Sequence, residues 1–132
     1  MQIEHVAIWC GDIDRLKGFY ETWFGAIAGE RYVNAKTGLE SYFLSFTGGA
    51  RLELMQRPDV TDRASPAVPR GLAHLALVVG IEGAVDALTV ELAQHGHRVA
   101  GQPRRTGDGY YESVVLDPEG NRVELVAERG GT

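Results

Sequence analysis

Hydrophobic and polar positions along this 132-residue chain follow a strand-like pattern, then a helical one, then three more strand-like patterns, and the whole series occurs twice. In the first half, apolar residues recur at i, i+3 and i+4 from 13 to 24, which predicts a helix. Asp12 or Asp14 can cap its start, and Gly25 can end it. Short runs rich in β-branched and aromatic residues predict strands at 3–10, 27–34, 39–46 and 50–57.

The second half repeats this order after a proline-containing segment, residues 58–71. A helix is predicted at 82–94, with Gly96 as its stop, and strands at 72–79, 97–100, 110–116 and 122–127. The order β-α-β-β-β, written twice, predicts an α+β protein with two small sheets, each covered by a helix on one face. We therefore divide a single domain, 1–132, into a first module at 1–57, a linker at 58–71 and a second module at 72–127.

Two short motifs support an internal repeat. Residues 3–8 (IEHVAI) match residues 72–77 (LAHLAL) at a shift of 72 − 3 = 69 positions. Residues 49–54 (GARLEL) match residues 120–125 (GNRVEL) at a shift of 120 − 49 = 71 positions. One such match arises easily by chance, but two matches in the same order at nearly the same spacing indicate duplicated modules.

The duplicated motifs contain four side chains that can bind metal, namely His5, Glu53, His74 and Glu124. Strand side chains alternate, so each glutamate is predicted to point to the face opposite its two neighbours. Those neighbours are all apolar and are expected to face the helices: Leu52, Leu54, Val123 and Leu125. The histidines are predicted to lie among apolar strand residues, where an unpaired polar ring is costly.

Imidazole and carboxylate groups together suit one divalent ion such as Zn, Ni, Co, Mn or Fe. The alternative for each residue alone is a hydrogen-bonded core histidine, or a salt bridge from Glu53 to Arg51 or from Glu124 to Arg122. The repeat favours the metal hypothesis, because an incidental pairing need not recur in both modules. With four protein ligands, an octahedral ion would keep one or two positions for water or substrate.

Composition narrows the class of protein further. The chain is long enough for one domain with a real core, and its formal charge of −5 argues against nucleic acid as a partner. No apolar run approaches the roughly 18 residues of a membrane span, and the first residues lack the pattern of a signal peptide. The single cysteine, Cys10, cannot form an internal disulfide, which suits a reducing compartment. We expect a cytoplasmic protein with a small-molecule partner.

The segment 117–125 (DPEGNRVEL) resembles the turn and strand that end in a metal-ligand glutamate in the vicinal oxygen chelate superfamily, which includes glyoxalase I, extradiol dioxygenases and bleomycin-binding proteins. The strand with His5 and the helix with Phe19 and Phe24 are also similar to that superfamily. The resemblance implies paired βαβββ modules that form a half-barrel cup, usually in a homodimer. It is strongest to glyoxalase I, which implies metal ligands at His5, Glu53, His74 and Glu124.

This resemblance implies a metal-dependent lyase or isomerase that acts on a small molecule with adjacent oxygens. The metal would act as a Lewis acid, and Glu124 or Glu53 would be the catalytic base. Trp9 and Arg57 stand where bacterial glyoxalase I holds glutathione, which argues against that thiol. An Fe(II)-dependent extradiol-type dioxygenase, with Glu53 outside the coordination sphere, and a non-catalytic drug- or metabolite-binding protein are the alternatives. Residues 104–112 are predicted to form either a mobile lid or a solvated hairpin loop.

Overall fold

The computed structural model describes residues 1–62, 68 and 70–130. The chain divides into two compact units, Met1–Ala67 and Val68–Thr132. The boundary falls within the segment 58–71, for which we predicted a linker. Residues 63–67 and 69 of that segment lie outside the described residues.

The first unit contains one helix and a five-stranded sheet, here called sheet A. Its elements are β1 (His5–Trp9), α1 (Ile13–Phe24), β2 (Ile27–Ala28), β3 (Tyr32–Asn34), β4 (Leu39–Ser45) and β5 (Arg51–Gln56). The strand order is β1-β5-β4-β2, with β3 also paired to β4. β1 is parallel to β5, and the other pairs are antiparallel.

The second unit repeats this arrangement around a four-stranded sheet, here called sheet B. Its elements are β6 (Leu75–Gly80), α2 (Glu82–Gln94), β7 (Val99–Arg105), β8 (Tyr111–Leu116) and β9 (Arg122–Ala127). The strand order is β6-β9-β8-β7, and β6 is parallel to β9. The predicted α+β class and the repeated β-α-β-β-β order are therefore confirmed.

Helix α1 begins and ends as the sequence predicts. The Asp12 side chain accepts a hydrogen bond from the Arg15 N–H at the N-cap, and Gly25 adopts the left-handed conformation (φ 65°) at the C-cap. The helix buries Ile13, Leu16, Phe19 and Tyr20. These apolar side chains recur at helical spacing, so burying them fixes which face of α1 lies on sheet A.

The residues that flank the two glutamates form the core of each unit. Leu52 is 3% exposed and Leu54 is fully buried, as are Val123 and Leu125 in the second unit. The predicted placement of these four side chains is confirmed. Because alternation along β5 and β9 then turns Glu53 and Glu124 to the other face, core packing sets the direction of both carboxylates.

Two strand predictions were wrong in extent. The strand predicted at 27–34 is broken into β2 and β3, and between them the Arg31 side chain donates to Asp14 on α1 and to Glu40 on β4. The strand predicted at 97–100 extends to Arg105, although it contains Pro103. Proline is tolerated because β7 is the outer strand of sheet B and its pairing with β8 is irregular near this residue.

Among the described residues, no helix is both long and apolar enough to cross a lipid bilayer.

Candidate functional site

One histidine–glutamate pair lies on sheet A. Parallel pairing of β1 and β5 places Ala7 beside Glu53, with His5 two residues earlier on the same face. The His5 Nε2 atom lies 3.8 Å from Glu53 Oε1. This distance is too long for a hydrogen bond, but the two groups converge on one region of the strand surface.

An equivalent pair lies on sheet B. Here Ala76 pairs with Glu124, and His74 is two residues before Ala76, so the spacing matches that of the first unit. The His74 Nε2 atom lies 3.2 Å from Glu124 Oε1. Within each unit, the structure therefore brings one predicted histidine and one predicted glutamate together, at the same strand register.

The exposure of these groups differs from the sequence prediction. His5 is the first residue of β1 and His74 precedes β6, and their side chains are 41% and 40% exposed. We predicted that both histidines lie inside the strands among apolar residues, and this prediction was wrong. The glutamate side chains are more enclosed, at 16% for Glu53 and 18% for Glu124. Each pair thus combines an accessible ring nitrogen with a largely buried carboxylate.

The His5 ring is held from two sides by residues that the sequence analysis did not single out. Its Nδ1 lies 2.8 Å from Glu4 Oε2, and its edge contacts the Phe43 ring at 5.1 Å between centroids. Hydrogen bonds from Arg51 and then from His5 lower the pKa of Glu4, so this carboxylate stays ionised. An ionised acceptor favours the proton on Nδ1, which leaves the Nε2 lone pair on the Glu53 side.

A third carboxylate, that of Glu112, lies beside Glu124. Val114 pairs with Glu124, and Glu112 is two residues before Val114 on the same face of β8. Burial raises the pKa of Glu112, and the charge and hydrogen bonding of Glu124 raise it further, whereas Arg104 lowers it. The equivalent position in the first unit is Ser41, which pairs with Met55 as Glu112 pairs with Val126.

The segment 104–112 contains a hairpin turn with exposed residues at 107–109, as one of its two predictions has it, but the turn is shorter than the predicted loop. Arg104 and Arg105 belong to β7, and Glu112 belongs to β8, where it pairs with Arg104. Only the residues between these strands form a turn, in which the Thr106 hydroxyl accepts from the Tyr110 N–H. Glu112 was missed because the equivalent position of the first unit is Ser41, so the repeat does not single it out.

Sequence comparison identifies the family. The profile of the Glyoxalase/Bleomycin resistance protein/Dioxygenase superfamily matches residues 2–125. The chain belongs to this superfamily. It is 30% identical over 125 residues to the uncharacterized protein YwkD of Bacillus subtilis (strain 168), a match that covers 93% of this chain and 94% of that protein.

Solved structures of superfamily members show the same fold. The glyoxalase family protein of Enterococcus faecalis is 25% identical, with a TM-score of 0.78 and coverage of 95% of this chain and 96% of that one. Glyoxalase I from Zea mays is 21% identical, with a TM-score of 0.77. The match covers 99% of this chain and 46% of the maize chain. The chain therefore spans a little under half of the maize protein. At 21% identity the similarity to that protein concerns the fold alone.

The superfamily-like segment 117–125 has a clear structural role. Asp117 is 3% exposed, and its Oδ1 accepts hydrogen bonds from the backbone N–H groups of Glu119 and Asn121, at 2.9 Å each. Its Oδ2 accepts from the Asn121 amide at 2.8 Å. Gly120 has a φ of 83°, which other residues rarely adopt. This turn leads into β9 and so fixes the register that places Glu124 beside Ala76.

Replacing Asp117 with Ala is expected to lower the free energy of unfolding by about 2–3 kcal/mol, because two backbone N–H groups in a partly buried turn lose their acceptor. Urea denaturation would measure the change, with Glu128→Gln on the exposed surface as the control. A loss no larger than that of the control would show that the turn does not depend on this carboxylate.

The chemistry and spacing of each pair fit a divalent ion. Two ligand atoms that each lie roughly 2.1 Å from one ion are about 3.0 Å apart at right angles and about 4.2 Å apart when opposite. The observed separations of 3.2 Å and 3.8 Å lie within this range. Among residues 1–62, 68 and 70–130, no group of three or more His, Cys, Asp or Glu side chains gathers closely enough to hold a metal. Each pair is thus half of the predicted ligand set.

Proposed function

We propose that this chain is a divalent-metal-dependent lyase or isomerase of glyoxalase type, acting on a small molecule with adjacent oxygens. The ligands of one Zn, Ni, Co, Mn or Fe ion would be His5, Glu53, His74 and Glu124. The observation that carries this proposal is the recurrence of a histidine–glutamate pair at the same strand register in both units. A salt bridge needed only for stability need not keep the same residue types in both modules, so the recurrence favours a shared role in binding.

The charge of the ligand set supports the same conclusion. Two carboxylates neutralise a divalent ion, which lowers the free energy needed to bury it. The glutamate side chains are largely enclosed, whereas the histidine rings are about two-fifths exposed. Such a set can bind an ion firmly and still leave it open to a small molecule.

In this proposal the glutamates and the histidines have different chemical roles. A bound divalent ion would supply a Lewis acid that polarises two adjacent oxygens and makes the neighbouring C–H group more acidic. Glu124 or Glu53 would take up that proton and return it to the adjacent carbon. The two histidines, which stay neutral as ligands, would position the ion.

The proposal extends to the organisation of the protein. We take the two units as one domain, 1–132, with modules at 1–57 and 72–127 joined by the linker 58–71, and we propose a cytoplasmic homodimer. Superfamily membership supports the single domain and the dimer, and the single cysteine is consistent with a reducing compartment such as the cytoplasm. The formal charge of −5 is consistent with a small-molecule partner and not with nucleic acid.

Metal analysis of protein purified without chelators tests the proposed function. We expect about one equivalent of a divalent transition metal per chain, its removal by a chelator, and its return on reloading. The reloaded protein should catalyse proton exchange in D₂O on a panel of α-hydroxyketones and 2-oxoaldehyde hemithioacetals. A protein that purifies metal-free and binds small molecules equally well with and without chelator would instead be a binding protein.

One observation favours a second candidate. Glu53 lies 3.8 Å from its histidine, farther than the 3.2 Å between Glu124 and His74. With Glu53 outside the coordination sphere, the remaining set is the two-histidine, one-carboxylate set of non-haem Fe(II) oxygenases. Oxygen consumption by the Fe(II)-loaded protein with catechols would identify this activity, and Glu53→Gln would then leave it intact.

A further inference from the structure

The two units differ at the end of the strand face that carries each histidine–glutamate pair. Trp9 is the last residue of β1, and the position 69 residues later is Val78. Arg57 follows β5, and the position 71 residues later is Glu128. The first unit therefore has an aromatic ring and a cation where the second unit has an aliphatic side chain and an anion.

Trp9 and Arg57 are in direct contact. The guanidinium carbon of Arg57 lies 4.9 Å from the centroid of the Trp9 ring, within the range of a cation–π interaction. The Arg57 Nε donates to Asp59 Oδ1 at 2.5 Å, and this bond lowers the pKa of Asp59. Asp59 thus holds the guanidinium over the indole. The two Nη groups of Arg57 make no hydrogen bond to another residue among those that the structure describes.

This aromatic–cationic platform, Trp9 with Arg57, is close to the proposed metal ligand Glu53. Ala7 pairs with Glu53, and Trp9 is two residues farther along β1 on the same face. A two-residue step along a strand is about 7 Å, which is roughly the length of a benzene ring with one substituent. A small molecule bound beside Glu53 can therefore reach the platform without spanning the sheet.

Exposure distinguishes the platform from the core. Trp9 is 47% exposed and the Arg57 side chain is 39% exposed. The four aromatic side chains that pack around α1 and β4 are less exposed: Phe19, Tyr20, Phe24 and Tyr42. An indole ring that is about half exposed to water buries more of its surface when a flat apolar group of a bound molecule covers it.

We infer that the substrate carries a planar aromatic ring with an anionic group, which binds with its ring against Trp9 and its charge at Arg57. The ring matches the indole, and a carboxylate matches the planar N–H donors of the guanidinium. This inference rests on the proposed function, because it names the class of small molecule that would lie beside Glu53. It predicts that the substrate is an aromatic acid whose two adjacent oxygens are separate from its carboxylate, so that the oxygens lie beside Glu53 while the carboxylate is at Arg57.

Fluorescence titration of the Trp23→Phe variant tests the inference, since Trp9 is then the only tryptophan in the chain. Three probes separate ring from charge: benzoate, cyclohexanecarboxylate and benzyl alcohol. Benzoate should quench Trp9 saturably, with an affinity at least tenfold above that of either other probe. Arg57→Gln should weaken benzoate binding about tenfold, whereas the control Glu128→Gln, at the equivalent position of the second unit, should leave it unchanged.

Equal affinities for benzoate and cyclohexanecarboxylate would overturn the inference, because a carboxylate that simply binds the ion does not require a ring. An unchanged benzoate affinity in Arg57→Gln would also overturn it. If the Arg57→Gln variant does not fold, Asp59→Asn serves as the test in its place, because it alters only the residue that holds Arg57. The metal content of the same samples is measured separately. Loss of metal without loss of benzoate selectivity would contradict the proposed function alone, and the reverse result would contradict this inference alone.

Discussion

Replacing Glu124 with Gln is expected to lower the affinity for a divalent ion by more than 100-fold, and His74→Gln should have a similar effect. Glu124→Gln removes one of the two negative charges that offset the ion, and amide oxygens bind borderline metals poorly. His74→Gln removes a nitrogen donor that lies 3.2 Å from the glutamate. Competition titration against a chromogenic chelator would measure both losses.

A graded series makes this prediction specific. Glu4 contacts the His5 ring at Nδ1 and is not itself a predicted ligand, so Glu4→Gln should weaken metal binding only by about 10–100-fold, as outer residues do in metal sites. Glu128→Gln, an exposed acid outside both pairs, should change nothing. If Glu128→Gln weakened binding as much as Glu124→Gln, the ion would be held by general negative charge and not by the predicted ligands.

Leu125→Ala is expected to lower the free energy of unfolding by about 2–5 kcal/mol, because it leaves a cavity in a closely packed core. Leu125 is fully buried beneath α2, on the face of β9 opposite Glu124. Leu54 has the same position relative to Glu53, so Leu54→Ala should cost a similar amount in the first unit. Urea denaturation with circular dichroism would measure both changes.

The matched control for these core variants is Val90→Ala on α2, where the side chain is 55% exposed. It should change the free energy of unfolding by less than about 0.5 kcal/mol. A similar result for Leu125→Ala would mean that the helix does not cover this part of sheet B. Metal affinity is expected to fall in the two core variants as well, since core packing sets the direction of the glutamates.

Much of the fold follows from the sequence, because its strongest signals are local. Helix α2 spans 82–94 as predicted, and the four apolar neighbours of the glutamates lie in the core. The break between β2 and β3 was not predictable, since it depends on Arg31, which bonds to residues on two other elements. The length of β7 was also missed, because whether a proline interrupts a strand depends on that strand being at the edge of its sheet.

Only part of the candidate site was predicted, because the sequence evidence for it came from repeated motifs. Repetition pointed to both histidine–glutamate pairs, and the register of the parallel strands places each pair together. Glu4 and Glu112 have no repeated counterpart, so this signal could not reveal them. Their roles depend on which strands are neighbours, and pairing between strands is not written in a single strand's pattern.

The outer strand of sheet B limits how this protein can aggregate. A strand edge invites pairing with another chain when its N–H and C=O groups form a regular row. Pro103 offers no N–H, Arg104 and Arg105 add like charges, and the pairing of β7 with β8 is irregular along its length. A foreign strand therefore meets an interrupted row at β7, so fibril growth by addition to this edge is disfavoured.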